Sequence, residues 1–354
     1  MEKYNIVILT SNIGAGHATI AKNLKKEFRK QAGKNCQIID YSRIYGYYLN
    51  EGIKYTYKTL LYSFPSIYKL LYNYIIDQSG ENIIDRLCAK ELKRRYKGEL
   101  KNTIFIALYP NAAAAISKIQ CARKYVITTD YNIHKGWIHS HIDKYFIPND
   151  ETKKTLKRYG VKEDKIEITG IPIAKKFYKV TKEEKIKRLI SLDKSKKTIL
   201  IMGGGDGVIY HATKLVSSLS YKYNIICIAG RNHKLKEKIK NLHFPNCKVF
   251  GFTKNVEKLI QAADIVITKA GGLSMTEIIT MQKPVIVYKQ LPGQEALNSQ
   301  YFEKHKACVI AKTIKEVDIL VSKILSGKIS LNTKFLIQKG VSIDQVIGII
   351  KKDL

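Results

Sequence analysis

Short apolar runs alternate with longer amphipathic patterns along almost the whole chain of 354 residues. This alternation is typical of βαβ units, in which helices join parallel strands and cover the faces of one sheet. The pattern stops in the charged segment 175–197 and starts again at residue 198. We therefore predict an α/β fold with two doubly wound, Rossmann-like domains, 1–174 and 198–354, facing each other across a cleft. Segment 175–197 is the predicted linker, and the last helix is free to pack back on the N-terminal domain.

The predicted strands are short apolar runs bounded by turn or helix signals. A first helix is predicted over 18–31, directly after the first strand and a glycine-rich turn. The predicted strands are 6–9, 36–41, 103–108, 125–129, 144–147 and 166–169 in the first half, and 198–202, 225–229, 248–250, 265–268, 285–288 and 308–310 in the second.

The charge balance is strongly basic, with 62 Lys and Arg against 30 Asp and Glu and a formal net charge of +32. Such a chain favours a polyanionic partner, either nucleic acid or an anionic membrane surface. Because the sequence has no zinc-finger or aromatic RNA-binding motif, no specific nucleic acid is expected. It also has no signal peptide and no apolar run of about 20 residues, so we expect the protein to remain inside the cell. Its six dispersed cysteines predict reduced thiols and no metal site.

Segment 45–76 interrupts the α/β pattern with nine tyrosines among leucine, isoleucine and lysine residues. Tyrosine and lysine both join an apolar body to a polar tip, which suits a membrane interface. Pro65 is expected to divide the segment into two helices. The alternative is an ordinary helical insertion whose tyrosines are half buried in the domain. The net charge of the chain favours the membrane-interface interpretation over the ordinary insertion.

Glycine-rich turns lie between a predicted strand and a predicted helix at Gly14–Gly16, Gly203–Gly207 and Gly271-Gly272. Such turns let backbone N–H groups approach a phosphate. None of them has the GxGxxG or GxxxxGK[ST] spacing, which argues against a nicotinamide cofactor and against a P-loop. No Asp-x-Asp occurs, which argues against a metal-bridged diphosphate. The three turns together predict a nucleotide site without a metal ion.

His17 directly follows the first of these turns. An imidazole titrates near neutral pH and can take a proton from a hydroxyl nucleophile, so we consider His17 a candidate general base. The alternative is a structural or simply exposed histidine.

Seven stretches resemble, in chain order, the motifs of one family of glycosyltransferases: Asn12–His17, Thr129-Asp130 with His134 and Trp137, Asp143–Tyr145, Ile168–Pro172, Ile201–Gly205, Ile267–Glu277 and Leu291–Glu295. The family is that of the monogalactosyldiacylglycerol synthases and bacterial processive diacylglycerol glucosyltransferases, which are related to the peptidoglycan N-acetylglucosaminyltransferase. Two positions depart from its pattern. Ala270 stands where bacterial relatives often have proline, and Tyr109-Pro110 replaces Thr-x-Pro on the expected acceptor side.

The resemblance implies a GT-B enzyme that is metal-independent and inverts the anomeric carbon. It implies that the N-terminal domain binds a lipid acceptor and docks on the membrane, whereas the C-terminal domain binds a UDP-sugar. His17 would be the general base, and Asp130 would support the acceptor side, with an N-cap or turn role as its alternative. The implied acceptor or membrane residues are His134, Trp137, Tyr55, Tyr62, Lys58 and Lys69.

The same resemblance implies a set of residues for the UDP-sugar. Gly203, Gly271, Gly272 and Ser274 would line the diphosphate, and Gly16 and Gly204 would also belong to the UDP-sugar site. Glu277 would hold the ribose hydroxyls, or else be an exposed helix carboxylate. Phe252 would lie by the uracil, or else belong to the core. Gln294 and Glu295 would bind the sugar hydroxyls, or else be solvated loop residues.

The implied reaction moves a hexose, glucose in preference to galactose, from a UDP-sugar to the 3-hydroxyl of diacylglycerol. Repeated transfer is left open, no cofactor is expected, and the implied location is the cytoplasmic face of the cell membrane, bound peripherally to anionic phospholipid. One alternative is an N-acetylglucosaminyltransferase acting on a lipid-linked peptidoglycan precursor. A non-enzymatic protein that binds RNA or another polyanion is the other, but it leaves the ordered motifs unexplained.

Overall fold

The computed structural model describes residues 4–11, 15–41, 83–179, 192–338 and 343–354, with isolated positions between 44 and 70. The chain divides into two units, Met1–Ala174 with Val341–Leu354, and Lys175–Gly340. Each unit contains one six-stranded parallel sheet. Of the predicted membrane-side residues, Tyr62, Lys58 and Lys69 lie outside the described residues.

The sheet of the first unit has the strand order β2-β1-β3-β4-β5-β6. Its strands are β1 Asn5–Thr10, β2 Cys36–Asp40, β3 Thr103–Ala107, β4 Arg123–Ile127, β5 Lys144–Ile147 and β6 Ile166–Ile168. The helices that follow these strands or precede β3 are α1 Ala15–Ala32, α2 Ile83–Arg95, α3 Pro110–Ser117 and α4 Asp150–Arg158. Central strands such as β3 are buried along their whole length, which explains why they are continuous apolar runs in the sequence.

The sheet of the second unit has the strand order β12-β11-β10-β7-β8-β9. Its strands are β7 Thr198–Met202, β8 Asn224–Ile228, β9 Cys247–Phe250, β10 Ile265–Thr268, β11 Val285–Tyr288 and β12 Val309–Ala311. Its helices are α5 Ala212–Ser220, α6 His233–Lys240, α7 Val256–Ala262, α8 Gly272–Thr280, α9 Gln294–Lys304, α10 Ile314–Leu325 and α11 Phe335–Gln338.

Both sheets have a point where the direction of strand addition reverses. In the first unit the chain leaves β1 towards β2 but leaves β3 towards β4, and in the second it leaves β7 towards β8 but β10 towards β11. Helices that follow such neighbouring strands cover opposite faces of the sheet, which opens a crevice at the carboxyl ends of the two strands. Ligands of doubly wound domains bind in that crevice.

The last helix, α12 Ile343–Lys351, packs on α1 and so belongs to the first unit. Its apolar face is fully buried there. Gln31 Nε2 donates to Asp344 Oδ1 at 2.7 Å, and the Tyr125 hydroxyl donates to the Asp353 carboxylate beyond the helix. The last helix thus packs on the first unit, an arrangement that the sequence left open for it.

Candidate functional site

His17 lies in the first turn of α1, just beyond the carboxyl end of β1. The helix begins at Ala15 rather than at the predicted residue 18, so Gly16 and His17 are helical and only Gly14 of the first glycine turn lies outside the described residues. The Thr129 hydroxyl is 3.2 Å from His17 Nδ1, and the ring also hydrogen-bonds to the Leu108 carbonyl. These partners follow β4 and β3, so neighbouring strands bring together residues that are far apart in the sequence.

Burial lowers the pKa of His17 more than two opposing effects raise it. The opposing effects are the negative charge of Asp130 and the hydrogen bond to the Leu108 carbonyl. Asp130 itself is only 8% exposed. His17 is therefore a neutral imidazole at neutral pH, which is the form that can accept a proton, and a carboxylate is close enough to stabilise the imidazolium that would result.

Tyr109 packs edge-on against the His17 ring, with ring centroids 5.6 Å apart and an interplanar angle of 82°. It occupies the N-cap position of α3, at the carboxyl end of β3. The departure from the family pattern at this position thus lies directly beside the candidate base. His17 and Tyr109 flank the β1–β3 crevice described above.

His134 and Trp137 shape the loop that follows Asp130. His134 caps the 3₁₀ segment Lys135–Trp137, with its Nδ1 accepting from the Gly136 backbone N–H at 3.2 Å. Burial lowers the pKa of His134 to about 4, which suits an uncharged structural acceptor. Trp137 is only 1% exposed and packs in the core of the first unit, so its side chain is not available to a membrane surface.

The glycine-rich loop after β7 is held by close backbone packing. A Cβ on Gly203 would lie 2.3 Å from the Val208 carbonyl oxygen. A Cβ on Gly207, whose φ is +66°, would lie 1.6 Å from the carbonyl oxygen of Ala229 in the next strand–helix loop. These two glycines are required by the fold itself. Gly204 also has a positive φ of +69°, and a Cβ there would be 3.6 Å from Lys269 Cε.

Gly271, the N-cap residue of α8, differs from these glycines because the fold does not require glycine at its position. Its φ of −69° and ψ of 133° are open to any residue. No described atom lies within 4 Å of the position that its Cβ would take. Neither the backbone nor the packing requires glycine, and the residue leaves the N-terminal end of α8 open to a ligand. Helix N-termini favour anions because they present unpaired N–H groups and the positive end of the helix dipole.

Glu277 and Ser274 lie on the same helix, with Ser274 half-buried in its first turn. Glu277 is 7% exposed, and its burial raises its pKa to about 8. The nearby Glu257 carboxylate raises this pKa further, whereas the Lys176 ammonium, which pairs with Glu257 Oε2 at 2.6 Å, lowers it. Glu277 is therefore not an exposed helix carboxylate. It is a buried group whose ionised form would be stabilised by hydrogen bonds from hydroxyl donors.

Phe252 follows β9 and is 56% exposed, which excludes a core role for its ring. The Arg231 guanidinium lies 5.1 Å from the ring centroid, and Arg231 also pairs with Asp206 at 3.3 Å. The Arg231 backbone N–H donates to the Gly205 carbonyl at 3.0 Å. An exposed aromatic face is thus held beside the glycine-rich loop.

Gln294 and Glu295 begin α9, after Gly293 with its φ of +85°. Glu295 Oε1 accepts a hydrogen bond from Lys269 Nζ. The other carboxylate oxygen, Oε2, is buried and has no hydrogen-bond partner among the described residues. Because buried polar atoms are almost always paired, this oxygen indicates a site for a donor such as a sugar hydroxyl.

A small pocket lies at the carboxyl ends of β7, β10 and β11, at the point where the strand order of the second sheet reverses. Lys269 is part of its lining, together with Met202, Tyr210, Thr268, Tyr288 and Leu291. Sequence reasoning missed Lys269 as a site residue, although it lies inside a motif that the resemblance rests on. A lone lysine in a strongly basic chain carries no signal until the fold places Glu295 beside it.

Comparison with known proteins identifies both units. The family model described as monogalactosyldiacylglycerol (MGDG) synthase matches residues 17–173. The model of the glycosyltransferase family 28 C-terminal domain matches residues 198–339. The processive diacylglycerol beta-glucosyltransferase of Bacillus licheniformis is 31% identical over 340 residues, which are 93% of this chain and 88% of the relative. An enzyme of the same name from Bacillus cereus is 32% identical over 337 residues, 92% of this chain and 87% of the relative.

Solved structures share the fold at low sequence identity. A glycosyltransferase from Rickettsia africae superposes with a TM-score of 0.58 at 17% identity, covering 100% of this chain and 99% of the other. MurG of Acinetobacter baumannii gives a TM-score of 0.61 at 13% identity and 99% coverage of both chains. HepE of Anabaena in complex with UDP and glucose gives 0.56 at 12% identity, covering 99% and 98%. These likenesses show the GT-B fold and nothing finer.

Proposed function

The chain belongs to the family of the processive diacylglycerol beta-glucosyltransferases, and we propose that it transfers glucose from UDP-glucose to the 3-hydroxyl of diacylglycerol. Relatives that match nearly the full length of the chain are named processive diacylglycerol beta-glucosyltransferases, which supports this proposal. The proposal of an N-acetylglucosaminyltransferase has weaker support, because the likeness to MurG is a likeness of fold at 13% identity. The observation that carries the chemistry is the neutral His17, held between Thr129 and the Leu108 carbonyl with Asp130 nearby.

In the first unit, His17 acts as the general base. Its imidazole takes the proton from the acceptor hydroxyl as the hydroxyl oxygen bonds to the anomeric carbon of glucose. The Asp130 carboxylate stabilises the imidazolium that forms, since its charge already raises the pKa of His17. Half-buried and held by its hydrogen bonds, the ring keeps one orientation during the proton transfer.

In the second unit, the donor site stabilises the negative charge of the leaving group. The bond between the anomeric carbon and the β-phosphate oxygen breaks, and UDP leaves with the electron pair. This single displacement inverts the anomeric carbon. The open N-terminal end of α8, at Gly271, Gly272 and Ser274, faces the diphosphate and replaces a metal ion in stabilising it. Gln294 and Glu295 Oε2, which has no hydrogen-bond partner among the described residues, bind the sugar.

The nucleoside part of the donor has two candidate contacts. The buried Glu277 accepts hydrogen bonds from the ribose hydroxyls, and these donors favour the ionised form that burial disfavours. Phe252, held by Arg231, offers an exposed ring face beside which the uracil lies.

We further propose that the protein docks peripherally on anionic lipid at the cytoplasmic face of the membrane, where its acceptor resides. Within the described part of the chain, no helix has the length and apolarity that a membrane span requires. Tyr55 is 75% exposed, and Ile83 and Leu87 are exposed one turn apart on α2, beside the exposed Arg86 and Lys90. Apolar and cationic groups on this face of α2 support binding to anionic lipid, where either attraction alone is marginal.

The test is an incubation of the purified protein with diacylglycerol in vesicles, with labelled UDP-glucose or UDP-galactose offered in parallel. We expect label from UDP-glucose to enter the lipid phase, faster on phosphatidylglycerol than on phosphatidylcholine vesicles. No lipid product from either donor would contradict the proposed function, and a lipid-linked peptidoglycan precursor with UDP-N-acetylglucosamine would be offered next. Equal rates on the two vesicles at low salt would contradict only the docking on anionic lipid.

Asp130→Asn tests the coupling between Asp130 and the base. Because the Asp130 charge raises the pKa of His17, its removal should lower that pKa further. The acidic limb of the kcat/KM profile should then move to lower pH, and kcat should fall by about tenfold or more as the imidazolium loses its counter-charge. The exposed Asp164→Asn is the matched control and should leave the profile in place. An unmoved acidic limb in Asp130→Asn would show that the profile does not report His17.

A further inference from the structure

Lys269 directly follows β10, two residues before the N-cap of α8. Its Cε lies 3.6 Å from the position that a Cβ on Gly204 would take. The side chain thus lies over the glycine-rich loop after β7, at the reversal point of the second sheet. It is the charged residue among those that line the pocket described there.

The Lys269 ammonium is paired with Glu295, and both side chains are largely shielded from solvent. A shielded ion pair is stable only when its remaining polar atoms are also satisfied. Glu295 Oε2 fails this condition, since it is buried without a hydrogen-bond partner among the described residues. The pair is therefore incomplete as a structural bridge and indicates a ligand that completes it.

Two other cationic side chains of the second unit, those of Lys289 and Arg231, contact groups other than Glu295. Lys289 Nζ lies 3.2 Å from His211 Nε2 and 5.7 Å from the centre of the Tyr210 ring. Arg231 pairs with Asp206 and lies over Phe252. Lys269 instead lies between two features that suit a phosphate, the glycine-rich loop and the open end of α8 at Gly271. A diphosphate at that place would meet N–H groups on two sides and needs a cation to match its charge.

We propose that Lys269 binds the diphosphate of the donor and that Glu295 holds its ammonium group in the pocket until the donor arrives. The diphosphate then competes with Glu295 for Lys269. The carboxylate released in this way accepts hydrogen bonds from hydroxyl groups of the sugar. As the anomeric bond breaks, the ammonium stabilises the growing charge on the departing UDP. This inference rests on the proposed function for the identity of the donor.

The test compares UDP with uridine, which lacks the phosphates, by isothermal titration calorimetry. Wild type should bind UDP more tightly than uridine. Lys269→Met should weaken UDP binding by about 10- to 100-fold and leave uridine binding within about twofold. Lys269→Arg keeps the charge and should retain most of the preference for UDP. Lys289→Met removes a neighbouring charge of the same sign and is the matched control.

Glu295→Gln should not weaken UDP binding, in contrast to Lys269→Met. The amide no longer neutralises Lys269, so UDP binding should be unchanged or tighter, whereas kcat with UDP-glucose should fall because the sugar loses its acceptor. A merely structural bridge predicts the contrary, with both variants losing stability and binding UDP and uridine equally poorly.

The outcomes separate the inference from the proposed function. If wild type binds neither UDP nor uridine, the proposed function fails and the inference fails with it. If wild type prefers UDP and Lys269→Met keeps that preference, only the inference is overturned. Equal losses of UDP affinity in Lys269→Met and Lys289→Met would also overturn it, by assigning the effect to the general positive field of the chain.

Discussion

Replacing His17 with Ala should lower kcat for glucosyl transfer by about 10²- to 10⁴-fold, the usual contribution of a positioned general base. The variant loses the ring that lies against Thr129 and the Leu108 carbonyl, and the acceptor hydroxyl loses its proton acceptor. UDP affinity should stay within about twofold, because we propose that the donor binds to the second unit. Initial rates with labelled UDP-glucose and calorimetric titration with UDP measure the two quantities.

His17→Gln and His233→Ala serve as controls for this result. Glutamine keeps a polar group beside Thr129 but cannot act as a base near neutral pH, so it should be as inactive as alanine. His233 is exposed at the start of α6, and its removal should leave kcat unchanged. A kcat within about threefold of wild type in His17→Ala would place the base elsewhere. A low kcat accompanied by a lowered Tm would instead indicate a structural histidine.

Alanine at Gly207 and alanine at Gly271 should have opposite consequences. Gly207→Ala should lower the free energy of unfolding by about 3 kcal/mol or more, because its positive φ and the overlap of its Cβ with the Ala229 carbonyl both oppose the native backbone. Gly271→Ala should leave stability unchanged or slightly raised, since its φ of −69° suits any residue and its Cβ has open space. We nevertheless expect about tenfold weaker UDP binding in Gly271→Ala, because the added methyl group would occupy the space in which we propose that the diphosphate binds.

Thermal unfolding and titration with UDP distinguish these two glycines. A Gly271→Ala protein that is stable and binds UDP as wild type does would show that the end of α8 does not contact the donor. If Gly207→Ala unfolds at the wild-type temperature, the packing between the loops after β7 and β8 is looser than the structure indicates. Each variant is the control for the other, since both add a single methyl group to a loop of the same sheet.

The sequence alone determined the secondary structure of the sheets and the class of the fold. Strands β5, β7, β10 and β11 begin and end at the predicted residues, because buried parallel strands are continuous apolar runs bounded by turn residues. The motifs around His17 and Glu277 were also sufficient to recognise the family, which the comparisons confirm. These are local properties of the chain, and periodicity and spacing record them directly.

Only the tertiary structure decided which residues meet and which groups are buried. His17 and Thr129, and likewise Lys269 and Glu295, come together because the strand order places their loops side by side, and local periodicity does not encode that order. Trp137 is buried in the core, although the resemblance implied a role on the acceptor or membrane side. Gly207 and Gly271 read alike in the sequence, yet one is required by packing and the other is not. Such differences depend on contacts between distant segments, which exist only once the sheets have formed.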